Sequence, residues 1–199
     1  MTTRSGALLA AVGLLAASGC GGGDEDGDSP AQAVKGAPMR DCASRAESPT
    51  ARRAGDPRAG VKVGPVYFTG LARYERIDAR EFRPRGGSTY IPAKAAAVVD
   101  AGPSVEVILH AEGSRAGLAY VKPSPDPPFT ISNGGRAVTL KPCKPTEPSF
   151  SGAGDVGDRT MFAGGFLLRG TSCARLEVRV RGGRTYRASV PFGREACAS

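Results

Sequence analysis

Short apolar runs alternate with turn residues along the last two thirds of the chain. From residue 60 onward these runs are VKVGPVYFTGL, TYIPAKAAAVV, VEVILHA, GLAYV, PFTIS, AVTLKPC, TMFAGGFLLRG, ARLEVRV and TYRASVPF. Runs of this length, separated by Gly, Pro, Asn, Asp and Ser, are typical of short strands joined by tight turns. The pattern predicts an all-β fold over residues 60–199, an immunoglobulin-like antiparallel β-sandwich of about seven to nine strands.

A helical period occurs at one place in this region. In LARYERIDAREF, Leu71, Tyr74 and Ile77 recur at the spacing of one helix face. We therefore expect one short surface helix among the strands.

The last two runs predict a hairpin with a defined inner face. In ARLEVRV the inward side chains are Leu176, Val178 and Val180, and the outward ones are Arg175, Glu177 and Arg179. In TYRASVPF the inward side chains are Tyr186, Ala188, Val190 and Phe192. A two-residue turn would place the two apolar sets on opposite faces, because side chains alternate with a period of two. A three-residue loop over residues 182–184, with Val180 opposite Tyr186, keeps them together.

The N-terminus carries an export signal. Arg4 precedes an apolar run from Gly6 to Ala17, and small residues then lead to Cys20. Twelve apolar residues span about 18 Å as a helix, short of the roughly 30 Å of bilayer hydrocarbon. The run is therefore a signal segment and not a stable membrane span.

The sequence LAASGC at the end of this run resembles the lipobox of bacterial lipoproteins. The resemblance implies that residues 1–19 are a signal peptide and that Cys20 carries a diacylglycerol. The protein would then be exported and lipid-anchored at the outer face of the cytoplasmic membrane or in the cell envelope. Two acyl chains give stable anchoring where one does not. The alternative is an ordinary secretory signal in which Cys20 has no such role.

Residues 20–59 are predicted to be a flexible tether. The tract GGGDEDGDSPAQAVKGAP lacks a hydrophobic period, and the segment up to Gly60 is polar with many Pro and Gly residues. Asp24, Asp26 and Asp28 imitate the start of a calcium loop. The segment does not match the rest of a calcium-binding loop, because Ser29 stands where a glycine is required and Lys35 stands where the bidentate glutamate is required.

Four cysteines remain after Cys20, namely Cys42, Cys143, Cys173 and Cys197. An even number in an exported protein indicates two disulfides. Three pairings are possible, and we favour Cys143–Cys173 with Cys42–Cys197. Zinc is disfavoured because no C-x₂₋₄-C pair occurs and His110 is the only histidine. We expect neither a metal nor another cofactor.

The body of the chain is basic. From residue 31 onward there are 26 Lys and Arg against 15 Asp and Glu. Arginines cluster around the last hairpin at Arg169, Arg175, Arg179, Arg181, Arg184 and Arg187. They are candidates for a strip that binds an anionic envelope polymer or lipid headgroups. The alternative is a solvated surface. Nucleic acid is excluded because the chain is exported and no aromatic residues for stacking lie among the charges.

Signatures of catalysis are weak. The motif GAGDVG at residues 152–157 matches a dinucleotide fingerprint, but no helical run follows it. His110 is the only histidine that could activate a nucleophile. Acidic pairs drawn from Asp155, Asp158, Glu106 and Glu112 could in principle serve a hydrolase.

The sequence as a whole therefore predicts a lipid-anchored cell-envelope protein. Its disulfide-stapled β-sandwich would be a non-enzymatic binding or structural module whose partner is an anionic polymer or another envelope protein. The alternatives are an envelope hydrolase that uses a carboxylate pair, and a small-ligand receptor.

Overall fold

The computed structural model describes residues 36–44, 46–47, 59–84, 86–111, 115–120, 130, 134–152, 154–194 and 196–197. Within these ranges the chain forms thirteen strands in three sheets. The predicted all-β sandwich is confirmed. In the described part of the chain, no helix is long and apolar enough to cross a membrane.

The three sheets are built as follows. Sheet A has the order β1 (Met39–Arg40), β9 (Ala137–Leu140), β7 (Val105–Ala111), β12 (Ser172–Val180) and β13 (Thr185–Phe192). Sheet B has the order β2 (Ala46–Glu47), β10 (Arg159–Phe162), β6 (Ala97–Asp100), β4 (Val66–Phe68) and β3 (Val61–Val63). Sheet C has the order β5 (Ile91–Lys94), β11 (Gly165–Leu168) and β8 (Ala116–Leu118). The paired strands run antiparallel, except that β1 is parallel to β9.

The strands outnumber the nine predicted runs because turn residues divide three of them and because β1 and β2 precede residue 60. The predicted run PFTIS lies outside the described residues except for Thr130. VKVGPVYFTGL forms β3 and β4, which are separated at Gly64 and Pro65. Gly64 has φ +56°, a left-handed conformation that glycine adopts at little cost. TYIPAKAAAVV likewise forms β5 and β6, and TMFAGGFLLRG forms β10 and β11.

The predicted surface helix is replaced by two 3₁₀ helices, Leu71–Arg76 and Ala79–Glu81. Leu71 is buried in the core. The second helix begins after Asp78, whose backbone is extended and whose side chain accepts a hydrogen bond from the Arg80 N–H. A capping box with Glu81 completes this start, and it interrupts the helical period that the sequence showed.

One aromatic cluster joins the three sheets in the core. The ring of Phe166 in sheet C lies 5.9 Å from that of Phe68 in sheet B and 5.3 Å from that of Phe192 in sheet A. Tyr120 packs edge-on against Phe166 at 6.1 Å. All four side chains are completely buried. Aromatic groups at these separations add to the stabilisation that their burial provides.

The last hairpin keeps the predicted inner face with a shifted register. Val178 lies opposite Tyr186, and the predicted pairing of Val180 with Tyr186 is wrong. The Val180 N–H donates to the Arg184 carbonyl, so the three-residue loop spans residues 181–183. Gly182 in the middle of this loop has φ +71°. The shift is two residues in the pairing, which leaves the parity and therefore the two apolar faces unchanged.

The segment before residue 60 contributes to the sandwich, contrary to its predicted role as a tether. Strands β1 and β2 pair with β9 and β10. The Arg40 side chain is buried, and its Nη1 donates to the Tyr120 carbonyl at 2.9 Å while its Nη2 donates to the Ser44 carbonyl. Non-local partners thus order a stretch that has little hydrophobic content of its own. Residues 20–35, 45 and 48–58 of the predicted tether lie outside the described residues.

All four described cysteines form disulfides, but the predicted pairing is wrong. The bonds are Cys42–Cys143 and Cys173–Cys197. Because β1 and β9 are parallel, Cys42 and Cys143 follow neighbouring strands at the same end of sheet A. Cys173 lies opposite Pro191 near the end of β13, so the chain after β13 brings Cys197 back to it.

Candidate anion-binding face

The outer face of sheet A carries charged residues from β7, β12 and the edge strand β13. Side chains alternate along each strand, so the residues between the buried valines and leucines of β7 and β12 project away from the core. Cross-strand pairing arranges them in three rows. The first row is His110, Arg175 and Ser189; the second is Ala137, Ile108, Glu177 and Arg187; the third is Met39, Thr139, Glu106, Arg179 and Thr185.

Glu177 is at the centre of this face. Its Oε1 accepts a hydrogen bond from Arg179 Nε at 2.6 Å, and its Oε2 accepts one from Arg187 Nε at 3.1 Å. His110 Nε2 lies 3.5 Å from the same Oε2. The Glu177 side chain is only 6% exposed. It lies on the predicted outer face, but it is buried because neighbouring cationic side chains surround it.

These contacts determine the ionisation of Glu177. Burial by itself raises the pKa of the carboxyl group. Hydrogen bonds from Arg179 and Arg187, together with the charge of both guanidinium groups, outweigh burial and lower the pKa below its usual value. Glu177 is therefore a stable carboxylate and a poor proton donor.

The two arginines bound to Glu177 are used differently. Arg179 also faces Glu106, with Nη1 and Oε2 3.7 Å apart, so its guanidinium lies between two carboxylates. Arg187 is bound through Nε, and its side chain is 56% exposed. The bond to Glu177 uses only the Nε–H, so the donors on the two terminal nitrogens of Arg187 are not used by Glu177.

The structure divides the predicted arginine strip into three parts. Arg179 and Arg187 form the ion pairs with Glu177. Arg175 lies in the first row and is exposed, and its side chain has no hydrogen bond or ion pair to another described residue. Arg181 and Arg184 are exposed at the loop between β12 and β13. Arg175 and the loop are six residues apart, which is about 20 Å along a strand.

The carboxylates considered for catalysis do not form one site. Asp155 and Asp158 are exposed in the loop before β10, whereas Glu106 is buried on the outer face of sheet A. Glu112 lies outside the described residues. The structure instead places Glu106 and Glu177 on either side of Arg179, a juxtaposition that depends on the pairing of β7 with β12. The alternation of both strands together with a known pairing would have revealed it.

The glycine-rich motif at residues 152–157 forms turns and no nucleotide loop. Gly152, Gly154 and Gly157 all have positive φ. The next element is strand β10, so in the described chain the loop does not lead into the helix that a nucleotide loop requires. The motif therefore closes a hairpin-like loop, in which the Ser149 N–H donates to the Gly154 carbonyl.

One trio of potential metal ligands occurs in the described part of the chain. The side-chain ligand atoms of Cys42, Cys143 and Glu147 lie within 4.8 Å of one another. Both sulfur atoms are joined in a disulfide, so neither is a thiolate ligand. Glu147 accepts a hydrogen bond from the Lys144 N–H, an arrangement that stabilises the local turn.

Comparison with known proteins adds no family assignment. No protein-family model, curated protein or solved structure matches this chain. The chemistry of the outer face of sheet A, together with the disulfides, is therefore the basis for inferring function.

Proposed function

We propose that this protein is a lipid-anchored cell-envelope protein whose β-sandwich is a non-enzymatic module that binds an anionic envelope polymer through the outer face of sheet A. The observation that carries the proposal is the arrangement of charge on this face. Its two carboxylates, Glu106 and Glu177, are both buried against arginines. Its exposed donors, Arg175 and the end of Arg187, are cationic.

The disulfides support the cellular location. Two disulfides in an all-β domain indicate a non-cytoplasmic, oxidising compartment. The proposed anchor at Cys20, which lies outside the described residues, agrees with that location. It also leaves an even number of cysteines for the two bonds. The membrane is the partner of the lipid on Cys20, and the polymer is the partner of the folded domain.

The charge arrangement favours binding over hydrolysis. A hydrolase with a carboxylate pair needs one carboxyl group whose pKa is raised so that it can donate a proton. The pKa of Glu177 is lowered by its arginines. Asp155 and Asp158 are solvated on a loop. The small-ligand receptor has no comparable observation in its favour.

Binding is tested with the full chain and the purified polymer fraction of the envelope. We expect the affinity to fall steeply as salt rises, because exposed charges are screened over a Debye length of about 8 Å at physiological ionic strength. Arg175→Gln should weaken binding. Arg159→Gln removes the same charge from an exposed position on sheet B, and it should have little effect. Salt-insensitive binding, or no binding, would refute the polymer-binding role.

The anchor is tested separately by the mass of the mature N-terminus. We expect a lipidated Cys20 as the first residue. Cys20→Ala should leave the protein unlipidated and release it from the membrane fraction. An unmodified N-terminus at any other residue would refute the anchor without affecting the binding test.

A further inference from the structure

We propose that Arg175, Arg187 and Ser189 form a seat for a phosphodiester group, so that the bound polymer is a linear polyphosphodiester. This inference rests on the proposed function and specifies its ligand class. The three residues lie on the outer face of sheet A at the junction of the first and second rows. Arg175 is directly opposite Ser189, and Arg187 is opposite Glu177 in the next row.

The register places the three donors around one point. Residues directly opposite each other have Cβ atoms about 4.5–5.5 Å apart, and diagonal pairs are about 7–8 Å apart. Arg175 and Ser189 are a direct pair, whereas Arg175 and Arg187 are a diagonal one. Ser189 and Arg187 are two positions apart on the same side of β13. A tetrahedral anion above this triangle is within reach of both guanidinium groups and the hydroxyl.

Glu177 positions one side of the seat. It binds Arg187 through Nε at 3.1 Å, which holds the stem of an arginine whose side chain is 56% exposed. Arg179, the other arginine on Glu177, faces a second carboxylate and is less available. His110, with its side chain 39% exposed, lies beside Arg175 in the first row and borders the seat.

The donor set matches phosphate. A guanidinium group binds phosphate oxygens in a bidentate manner, and a serine hydroxyl adds a single donor. Two arginines on one anion match a tetrahedral group, whose oxygens point in several directions, better than a planar carboxylate. A repeating phosphodiester chain can extend beyond the seat along the outer face of sheet A.

The surrounding surface favours a soluble polymer over a bilayer. The exposed large hydrophobic residues of the described chain are Met39, Phe150 and Tyr186. Met39 lies at the opposite edge of sheet A in the third row, and Tyr186 points to the other side of β13. Among the described residues, the seat therefore has no adjacent exposed apolar side chain to insert between lipids, and no adjacent exposed aromatic ring on which a nucleobase could stack.

The test compares two polyanions of matched length and charge, an oligomer of glycerol phosphate and an oligomer of glutamate, by titration calorimetry with the full chain. We expect the phosphate oligomer to bind more tightly. Arg175→Gln and Arg187→Gln should each weaken its binding roughly tenfold or more. Ser189→Ala should weaken it by a few fold. Arg159→Gln is the control of equal charge and should leave the affinity unchanged.

Glu177→Gln separates positioning from net charge. This variant removes one negative charge and so raises the net charge of the face by one. A surface that bound only through net charge would therefore bind the phosphate oligomer more tightly. The proposed seat predicts weaker binding, because Arg187 loses the carboxylate that orients it. Circular dichroism establishes that the variant is folded before the titration.

Each contrary result has a defined meaning. Equal affinity for both oligomers, or tighter binding by Glu177→Gln, would refute the phosphate seat while leaving polymer binding intact. Equal losses in Arg175→Gln and Arg159→Gln would refute both the seat and binding through the outer face of sheet A. Binding to vesicles of anionic phospholipid without binding to either oligomer would refute both the seat and the proposed polymer. Failure to bind any polyanion would refute the proposed function.

Discussion

One disulfide ties the segment that contains β1 and β2 to the chain after β9, and the other ties β12 to the chain after β13. The N-terminal segment and the hairpin of β12 and β13 nevertheless fold for different reasons. The hairpin has alternating side chains, and one of its faces buries Leu176, Val178 and Val190. The N-terminal segment has two two-residue strands, a buried Arg40 and the bond from Cys42. Local pattern thus determines one region, and distant partners determine the other.

The largest effect should come from the disulfide of the N-terminal segment. Cys42→Ser combined with Cys143→Ser removes a bond between residues 101 apart, which corresponds to an upper value of about 4–5 kcal/mol in the free energy of unfolding. The matched control, Cys173→Ser with Cys197→Ser, spans 24 residues and should cost about 3–4 kcal/mol. Chemical denaturation measures both. A larger loss in the control would contradict the greater dependence of the N-terminal segment on its cross-link.

The hairpin should instead depend on packing. Leu176→Ala removes most of a completely buried side chain on the inner face of β12 and leaves a cavity. It should lower the free energy of unfolding by about 3 kcal/mol. Ser189→Ala, on the outer face of the same hairpin, should change it by less than about 0.5 kcal/mol. Urea unfolding distinguishes the two. Similar losses in both variants would show that the assignment of faces is wrong.

Arg40→Met tests the polar attachment of the N-terminal segment. The variant keeps an extended apolar stem but leaves the carbonyl groups of Ser44 and Tyr120 without the donors shown here. We expect a loss of about 1–3 kcal/mol and faster proteolysis near β1. Arg40→Lys should recover only part of the loss, because a single ammonium group lacks the fork of a guanidinium. If Arg40→Met had the same free energy of unfolding and the same rate of proteolysis as the wild type, the buried hydrogen bonds of Arg40 would not be what stabilises this segment.

The smallest of these effects concerns Glu177 and has a defined pH dependence. Because its folded-state pKa lies below the unfolded value, its contribution is fully present above about pH 5 and is lost as the pH falls through the folded-state pKa. Glu177→Gln should lower the free energy of unfolding by about 1–2 kcal/mol at pH 7. The loss is limited because more than half of the Arg187 side chain is exposed, so solvent screens its ion pair with Glu177. When unfolding is measured from pH 7 to pH 3, the difference in free energy of unfolding between variant and wild type should shrink towards the acid end. A difference that grows as the pH falls would contradict the sign of the shift.

The same contrast explains what could be predicted from the sequence. Alternation alone identified the inner faces of β12 and β13, since this property is encoded in neighbouring residues. The loop position was missed by one residue, because both Arg181 and Arg184 flank the glycines and the pattern does not say which of them lies inside the turn. The β-strand role of Met39–Arg40 and Ala46–Glu47 was missed because neither pair has an apolar period.

The candidate site was predictable only in part, for a similar reason. The arginines around the last hairpin are visible as a cluster, but their division depends on which residues lie opposite them. His110 reaches Glu177 only because β7 pairs with β12, and Arg187 reaches it only because of the hairpin register. The cysteine pairing also depends on strand order, since the parallel contact of β1 with β9 brings Cys42 to Cys143. Such non-local pairings are not encoded in any single segment.

The position of Phe166 has a consequence for how the domain comes apart. Its ring packs against one aromatic side chain from each of the other two sheets. Separation of any one sheet would therefore expose part of this aromatic cluster to water. The three sheets should therefore melt together in a single calorimetric transition whose van't Hoff and calorimetric enthalpies agree. Phe166 thus couples the three sheets of the described chain into one cooperative unit.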